Sequence, residues 1–239
     1  MPGWLSGRRF EPRPVWTLLA LAGFGLFVSL GRWQLDRADD KRALFAGFEA
    51  GDAPALWIRE DFEPVERYRR IRAEGRFDPA RQFLLDNMTR DGVPGLEVLT
   101  PLVRADGRIV LVNRGFVPLP RRRDQLPRLP VADAPRQVTG RADFLPRAAV
   151  ELEAPPASGW PRLVSFPRMA DIREALGADV FPQVLLLDPG EPDGFRRDWQ
   201  PPGLPPEQHL GYAVQWFGLA ATVLATWALL SFRKEGPGT

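Results

Sequence analysis

VWTLLALAGFGLFVSLG, Val15 to Gly31, and LGYAVQWFGLAATVLATWALLSF, Leu210 to Phe232, are two uncharged apolar runs lying near the two ends of the chain. At about 1.5 Å per residue they reach roughly 25 and roughly 35 Å, each enough to cross a hydrocarbon core of about 30 Å with modest adjustment. The reading is a membrane protein with two transmembrane helices, and everything between them then sits on one side. The tails choose that side. Arg8, Arg9 and Arg13 against Glu11 precede the first run, and Arg233 and Lys234 against Glu235 follow the second. Of the chain's 32 Lys and Arg the tails hold five, and of its 30 Asp and Glu two, which leaves 27 and 28 between the runs. Short basic tails stay inside, whereas long loops translocate largely regardless of charge. The expected layout is a cytoplasmic tail over 1–14, a first transmembrane helix over 15–35, an extracytoplasmic strand-rich domain over 36–208, a second helix over 209–232 and a cytoplasmic tail over 233–239.

Ala20-Leu21-Ala22 has the form of a signal-peptide cleavage site. The apolar stretch before it is too short for an h-region, and the apolar character continues to Leu30, so an uncleaved anchor is expected. With no transit-peptide pattern in view, the expected location is a bacterial inner membrane, with both termini cytoplasmic, rather than a mitochondrial one.

Composition excludes several chemistries. The chain has no Cys, one His (His209) and three scattered Met. Thiolate metal sites, CxxC pairs and cysteine nucleophiles are impossible, and dedicated copper or zinc handling lacks its ligands. A His-based hydrolase triad would need His209, which sits at a membrane boundary with no Ser beside it. No GxGxxG, Walker loop or internal repeat is present. The near-neutral middle lacks the positive field that nucleic acid requires, and Arg121-Arg122-Arg123, set among prolines, reads as a solvated turn.

Between the runs the pattern is mixed α+β, dominated by strands. Past the first run, Leu35, Ala38, Leu44, Phe45 and Phe48 continue a helical spacing that Gly51 would stop. Strands are expected at Arg70 to Phe77, Gln82 to Asn87, Leu96 to Val103, Arg108 to Phe116, Gln137 to Phe144 and Val184 to Leu187. Asp106-Gly107 suits a hairpin turn. A short helix is expected over Met169 to Leu176, ended by Gly177, and the proline-rich stretches from 118 to 135, 154 to 161 and 182 to 206 read as loops.

With these landmarks placed, the chain resembles the Surfeit locus protein 1 family. At the exit of the first span, Gly31-Arg32-Trp33-Gln34-Leu35-Asp36-Arg37 with Lys41 is similar to that family's G-x-W-Q-L-x-R-x-x-x-K signature. Gly75-Arg76-Phe77, Gly95 to Pro101 and Val112 to Pro118 resemble its strand motifs, with Phe116 where Trp is usual. His209-Leu210-Gly211-Tyr212-Ala213-Val214-Gln215-Trp216-Phe217 resembles its second-span motif, with Gly211 where Ser is common. The resemblance implies a non-enzymatic assembly factor for haem-copper cytochrome c oxidase that binds haem a and aids its insertion into the oxidase core subunit. Haem a synthase and the lipid bilayer are the other implied partners. The alternative is a structural membrane chaperone that stabilises an oxidase subunit intermediate without haem.

The candidate haem-binding residues are His209, Tyr212, Gln215, Trp216, Trp33 and Arg37, with His209 as axial ligand to the iron. His209, Tyr212 and Trp216 are three and four apart, which stacks them on one helix face. A neutral imidazole can ligate haem iron while aromatic surface meets the macrocycle. Tyr212 and Trp216 equally suit an interfacial aromatic belt. Gln215, inside an apolar run, calls for a polar partner. Arg37 could pair with haem propionates, but snorkelling to headgroups explains both Arg32 and Arg37 and is preferred. Asn113-Arg114-Gly115 reads as a strand-end device that satisfies exposed carbonyls. Gly218, Thr222 and Thr226, with Ala221 and Ala225, form a small-residue face for another helix, with Gly25 and Ser29 or an oxidase subunit as its complement.

Overall fold

The structure is a computed structural model that describes residues 8–49, 54–58, 62–119, 127, 129–146 and 159–234. Its elements begin with β1 (Arg8–Phe10), α1 (Pro14–Glu49), β2 (Leu56–Trp57), β3 (Arg70–Phe77), β4 (Phe83–Arg90) and β5 (Val93–Val103). They continue with β6 (Ile109–Pro118), β7 (Arg136–Asp143), β8 (Arg162–Val164), α2 (Met169–Leu176), β9 (Val180–Leu187), α3 (Pro206–Ser231) and β10 (Phe232–Lys234). The chain divides into two compact units, Met1–Ala46 with Pro201–Thr239, and Gly47–Gln200. The Arg121-Arg122-Arg123 run, Gly51 and Glu235 lie outside the described residues.

In the first unit α1 and α3 run antiparallel. Both begin with proline, whose missing N–H costs nothing in a first helical turn. Both are long and apolar enough to cross a membrane. Their contact stripe is not the one expected. Pro206, Ala213 and Ala220 of α3 are buried at intervals of seven, and Ala20, Gly31, Gln34 and Ala38 of α1 are buried opposite. Such three-and-four spacing is the seam of a left-handed helix pair. Along it, Trp227 Nε1 donates to Thr17 Oγ1 at 3.0 Å, and Phe27 stacks on Trp216 with ring centroids 5.7 Å apart. Gly31 lies under Phe217, where a Cβ would come within 2.7 Å of the ring. Gly218, Thr222 and Thr226 face outward, as do Gly25 and Ser29. Their four-residue spacing drifts off a seam that repeats every 3.5 residues, so the alanines of α3 carry the close approach. β1 and β10 pair antiparallel beyond the helix ends.

The second unit is built on a sheet in the order β2-β3-β7-β9-β6-β5-β4-β8. An additional pairing of β3 with β5, through Arg76 with Val103 and Phe77 with Leu102, closes β3, β7, β9, β6 and β5 into a five-stranded barrel. The eleven-residue β5 makes this possible: its first part pairs with β4 and its last part with β3. Alternation along the strands then fills two layers. Ile71, Phe77, Leu102, Val110, Val112, Val138, Phe181 and Leu185 pack together as one core. Phe83, Leu85, Leu99, Ile109, Leu111 and Val184 point the other way, and Ile172 and Leu176 of α2 cover them.

The domain is strand-dominated, as expected. β3 and α2 coincide with the sequence boundaries, and Gly177 ends α2 in a left-handed conformation at φ +63°. At the Asp106-Gly107 hairpin, Gly107 takes φ +79° and its N–H donates to the Arg104 carbonyl at 3.0 Å. β9 starts earlier than expected and contains Pro182. The β6–β9 register shifts between Ile109 and Leu111 beside it, which accommodates a residue unable to donate to the ladder. β4 runs on past Asn87, a residue at φ +63°, through a register shift between Leu85 and Met88. β1, β2, β8 and β10, of two or three residues each, are additions that no sequence period reveals.

Candidate functional site

His209 stands in the first turn of α3, and Gln34 faces it from α1. Gln34 is buried because it occupies a seam position, three residues after Gly31 and four before Ala38. The His209 ring meets it through Nδ1, 2.8 Å from Gln34 Oε1. An amide oxygen only accepts, so the imidazole donates from Nδ1–H, and in the neutral ring this tautomer places the lone pair on Nε2. That Nε2 is buried and has no hydrogen-bond partner among the described residues. A ring nitrogen fixed in this way, with an acceptor holding the opposite N–H, is how a metal-ligating histidine is oriented. The residues present therefore fit an iron-bound imidazole in tautomer and donor type. Lys41, about two turns beyond Gln34, ties α1 to the segment leading into α3 by donating to the Pro202 carbonyl at 2.7 Å.

The other candidates separate. Trp216 is half-buried on the seam, stacked on Phe27. Tyr212 is 43% exposed and Trp33 is 53% exposed. A seam of 3.5-residue period admits 209, 213, 216 and 220 and leaves 212 at its rim, so the three aromatic and imidazole rings do not share one buried face. Gln215 is exposed and makes no hydrogen bond among the described residues. Arg37 points outward and donates to Asp40 Oδ2 at 3.1 Å, an exposed pair within its own helix. Gln34 was absent from the candidate list although it lies inside the WQL motif. The signal that marks it is a lone amide on the small-residue stripe of an apolar helix.

In the second unit Asn113-Arg114-Gly115 acts within the fold. Asn113 donates to Glu97 Oε2 at 2.7 Å and accepts from the Gly115 N–H, while Gly115 takes φ +113° against the Arg196 backbone. Arg114 is 1% exposed and donates to the carbonyls of Asp193 and Pro130 and to Gln82 and Thr100. Burial pulls its pKa down to about 10, which leaves it charged at neutral pH.

The SURF1 family model matches residues 21–221, and the chain belongs to the SURF1 family. A SURF1-like protein of Monosiga brevicollis is 31% identical over 92% of this chain and 88% of its own length. An uncharacterised SURF1-like protein of Mycobacterium bovis is 26% identical over 90% of this chain and 83% of its own. Surfeit locus protein 1 of Takifugu rubripes is 25% identical over 92% and 97%.

Proposed function

We propose that this protein spans the membrane twice, with both tails in the cytoplasm and the strand-rich unit outside, and serves the assembly of haem-copper cytochrome c oxidase. The two apolar helices support the spanning reading, because only 6% and 11% of their most apolar windows are buried. A core helix of a soluble protein would be covered. Here Val15, Trp16, Leu18, Val214 and Leu230 are bare, an apolar surface that lipid satisfies.

Within that role, haem a is the cargo, held near the outer boundary for insertion into the oxidase core subunit. The observation that carries this reading is the His209 imidazole, its Nδ1 committed to Gln34 and its Nε2 left without a partner. Gln34 fixes the ring and, in the neutral imidazole, selects the tautomer with the lone pair on Nε2. Trp216 supplies an aromatic wall, and Tyr212 and Trp33 supply exposed apolar surface beside it. Haem, when bound, would supply an iron for the His209 imidazole to ligate.

One observation favours the second reading, a chaperone that steadies an oxidase subunit without haem. Nε2 has no accessible surface in this conformation, so iron reaches it only when its cover yields. Complementation separates the two. In cells lacking the gene, the wild-type protein restores a-type haem absorbance to the oxidase, and His209→Ala fails under the haem reading. Full restoration by His209→Ala would leave the chaperone reading standing.

A further inference from the structure

We infer that the β1–β10 ribbon is a binding strip for anionic phospholipid headgroups. The inference rests on the membrane-spanning reading. The ribbon lies at the ends of both helices: the Glu11 N–H donates to the Ser231 carbonyl at 2.7 Å, tying the start of α1 to the end of α3. Its register sets Arg8 opposite Lys234, Arg9 opposite Arg233 and Phe10 opposite Phe232.

Directly paired residues in a ribbon share a face, and successive residues alternate. Phe10 and Phe232 therefore share one face. Their rings meet at 5.2 Å, and Phe10 sits edge-on to Trp227 at 5.8 Å. Arg9 and Arg233 share the opposite face and are exposed. Exposed Arg9 and Arg233 therefore form a cationic patch at the end of two apolar helices, on the face opposite the Phe10–Phe232 pair.

Like charges placed directly across an antiparallel pair repel. Among the described residues the carboxylate beside the ribbon is Glu11, 3.9 Å from Arg9 in an exposed contact, one negative charge against the two of Arg9 and Arg233. A register that sets Arg9 against Arg233 lacks a full counter-charge among the described residues. At the end of two apolar helices the anion at the right depth is a phospholipid phosphate, and the aromatic face lies beside its glycerol and acyl region. Anionic lipid both neutralises the pairs and holds the two chain ends together.

The test uses the purified full-length protein in detergent, with equal amounts of dioleoylphosphatidylglycerol and dioleoylphosphatidylcholine, and counts retained lipid by native mass spectrometry. Retention of phosphatidylglycerol is expected to exceed that of phosphatidylcholine about tenfold. Arg9→Gln with Arg233→Gln should bring the two within about twofold, and Arg9→Lys with Arg233→Lys should keep the preference. Inorganic phosphate at the same concentration should not displace the lipid. Equal retention by the wild type, a preference that survives the Gln pair, or displacement by phosphate would each overturn the inference. Carbonate extraction of the same membranes marks the other failure: release of the protein would defeat the spanning reading and the strip with it, whereas retention without lipid preference would defeat the strip alone.

Discussion

His209 and Arg114 are both polar side chains inside apolar surroundings, and what each leaves unsatisfied separates their roles. Arg114 spends its guanidinium on two carbonyls, an amide and a hydroxyl, and lies over the rings of Phe77 and Phe195. Arg114→Met would strip this donor from the Asp193 and Pro130 carbonyls, while Gln82 and Thr100 keep the bond between them, costing about 3 kcal/mol and lowering the thermal midpoint by about 10 °C. Arg114→Lys should recover little, since one ammonium cannot span acceptors that diverge from a planar fork. His209 instead keeps a nitrogen in reserve. Gln34→Leu removes the acceptor that sets its tautomer, and haem retention by the purified protein is expected to fall about tenfold, with Gln34→Glu retaining more. Tyr68 gives a pH handle. Burial, then the nearby Asp143 carboxylate, push its pKa up to about 12 against the opposing pull of Arg67. A folded value above the unfolded one near 10 means that the neutral phenol stabilises the fold below about pH 10, and that this contribution is lost as pH rises toward 12. In a Tyr212→Phe protein, where Tyr68 is the remaining tyrosine, phenolate absorbance should appear near pH 12; a transition near 10 in folded protein would contradict the placement. The Tyr68 hydroxyl has no hydrogen-bond partner among the described residues, so Tyr68→Phe should not destabilise the protein at neutral pH.

Elements that own a sequence period were legible, and those defined by a partner were not. The two uncharged runs announced α1 and α3, and Met169 to Gly177 announced α2 down to its left-handed cap. The face on which α1 and α3 meet was hidden, because small residues recur throughout both runs and only the partner selects Ala213 and Ala220 over Gly218 and Thr222. For the same reason the site was half-visible. His209 stood out by being unique, whereas Gln34 became a site residue only when α1 was laid against α3. Barrel closure was equally concealed, since β5 pairs with different strands at its two ends. One residue carries the cue: a Cβ on Gly75 would stand 2.5 Å from the Val103 carbonyl, so glycine there lets β5 reach β3. Gly75→Val is expected to open the β3–β5 seam and cost about 2 to 3 kcal/mol, read as a lowered denaturation midpoint and faster amide exchange at Phe77 and Leu102.

For the whole molecule, membership of the SURF1 family and two exposed apolar helices support the proposed membrane-anchored assembly role. Topology is checked by reporter fusions: a fusion in the Asp106-Gly107 hairpin should report the outer side, and fusions at both tails the cytoplasm. The haem reading is tested most directly by the optical spectrum of the protein purified in detergent from cells that make haem a. The wild type is expected to show the bands of a histidine-ligated a-type haem. His209→Ala, inserted and folded normally, should lose them or shift them strongly. An unchanged spectrum and affinity in His209→Ala, or no haem in the wild type, would contradict the role assigned to His209.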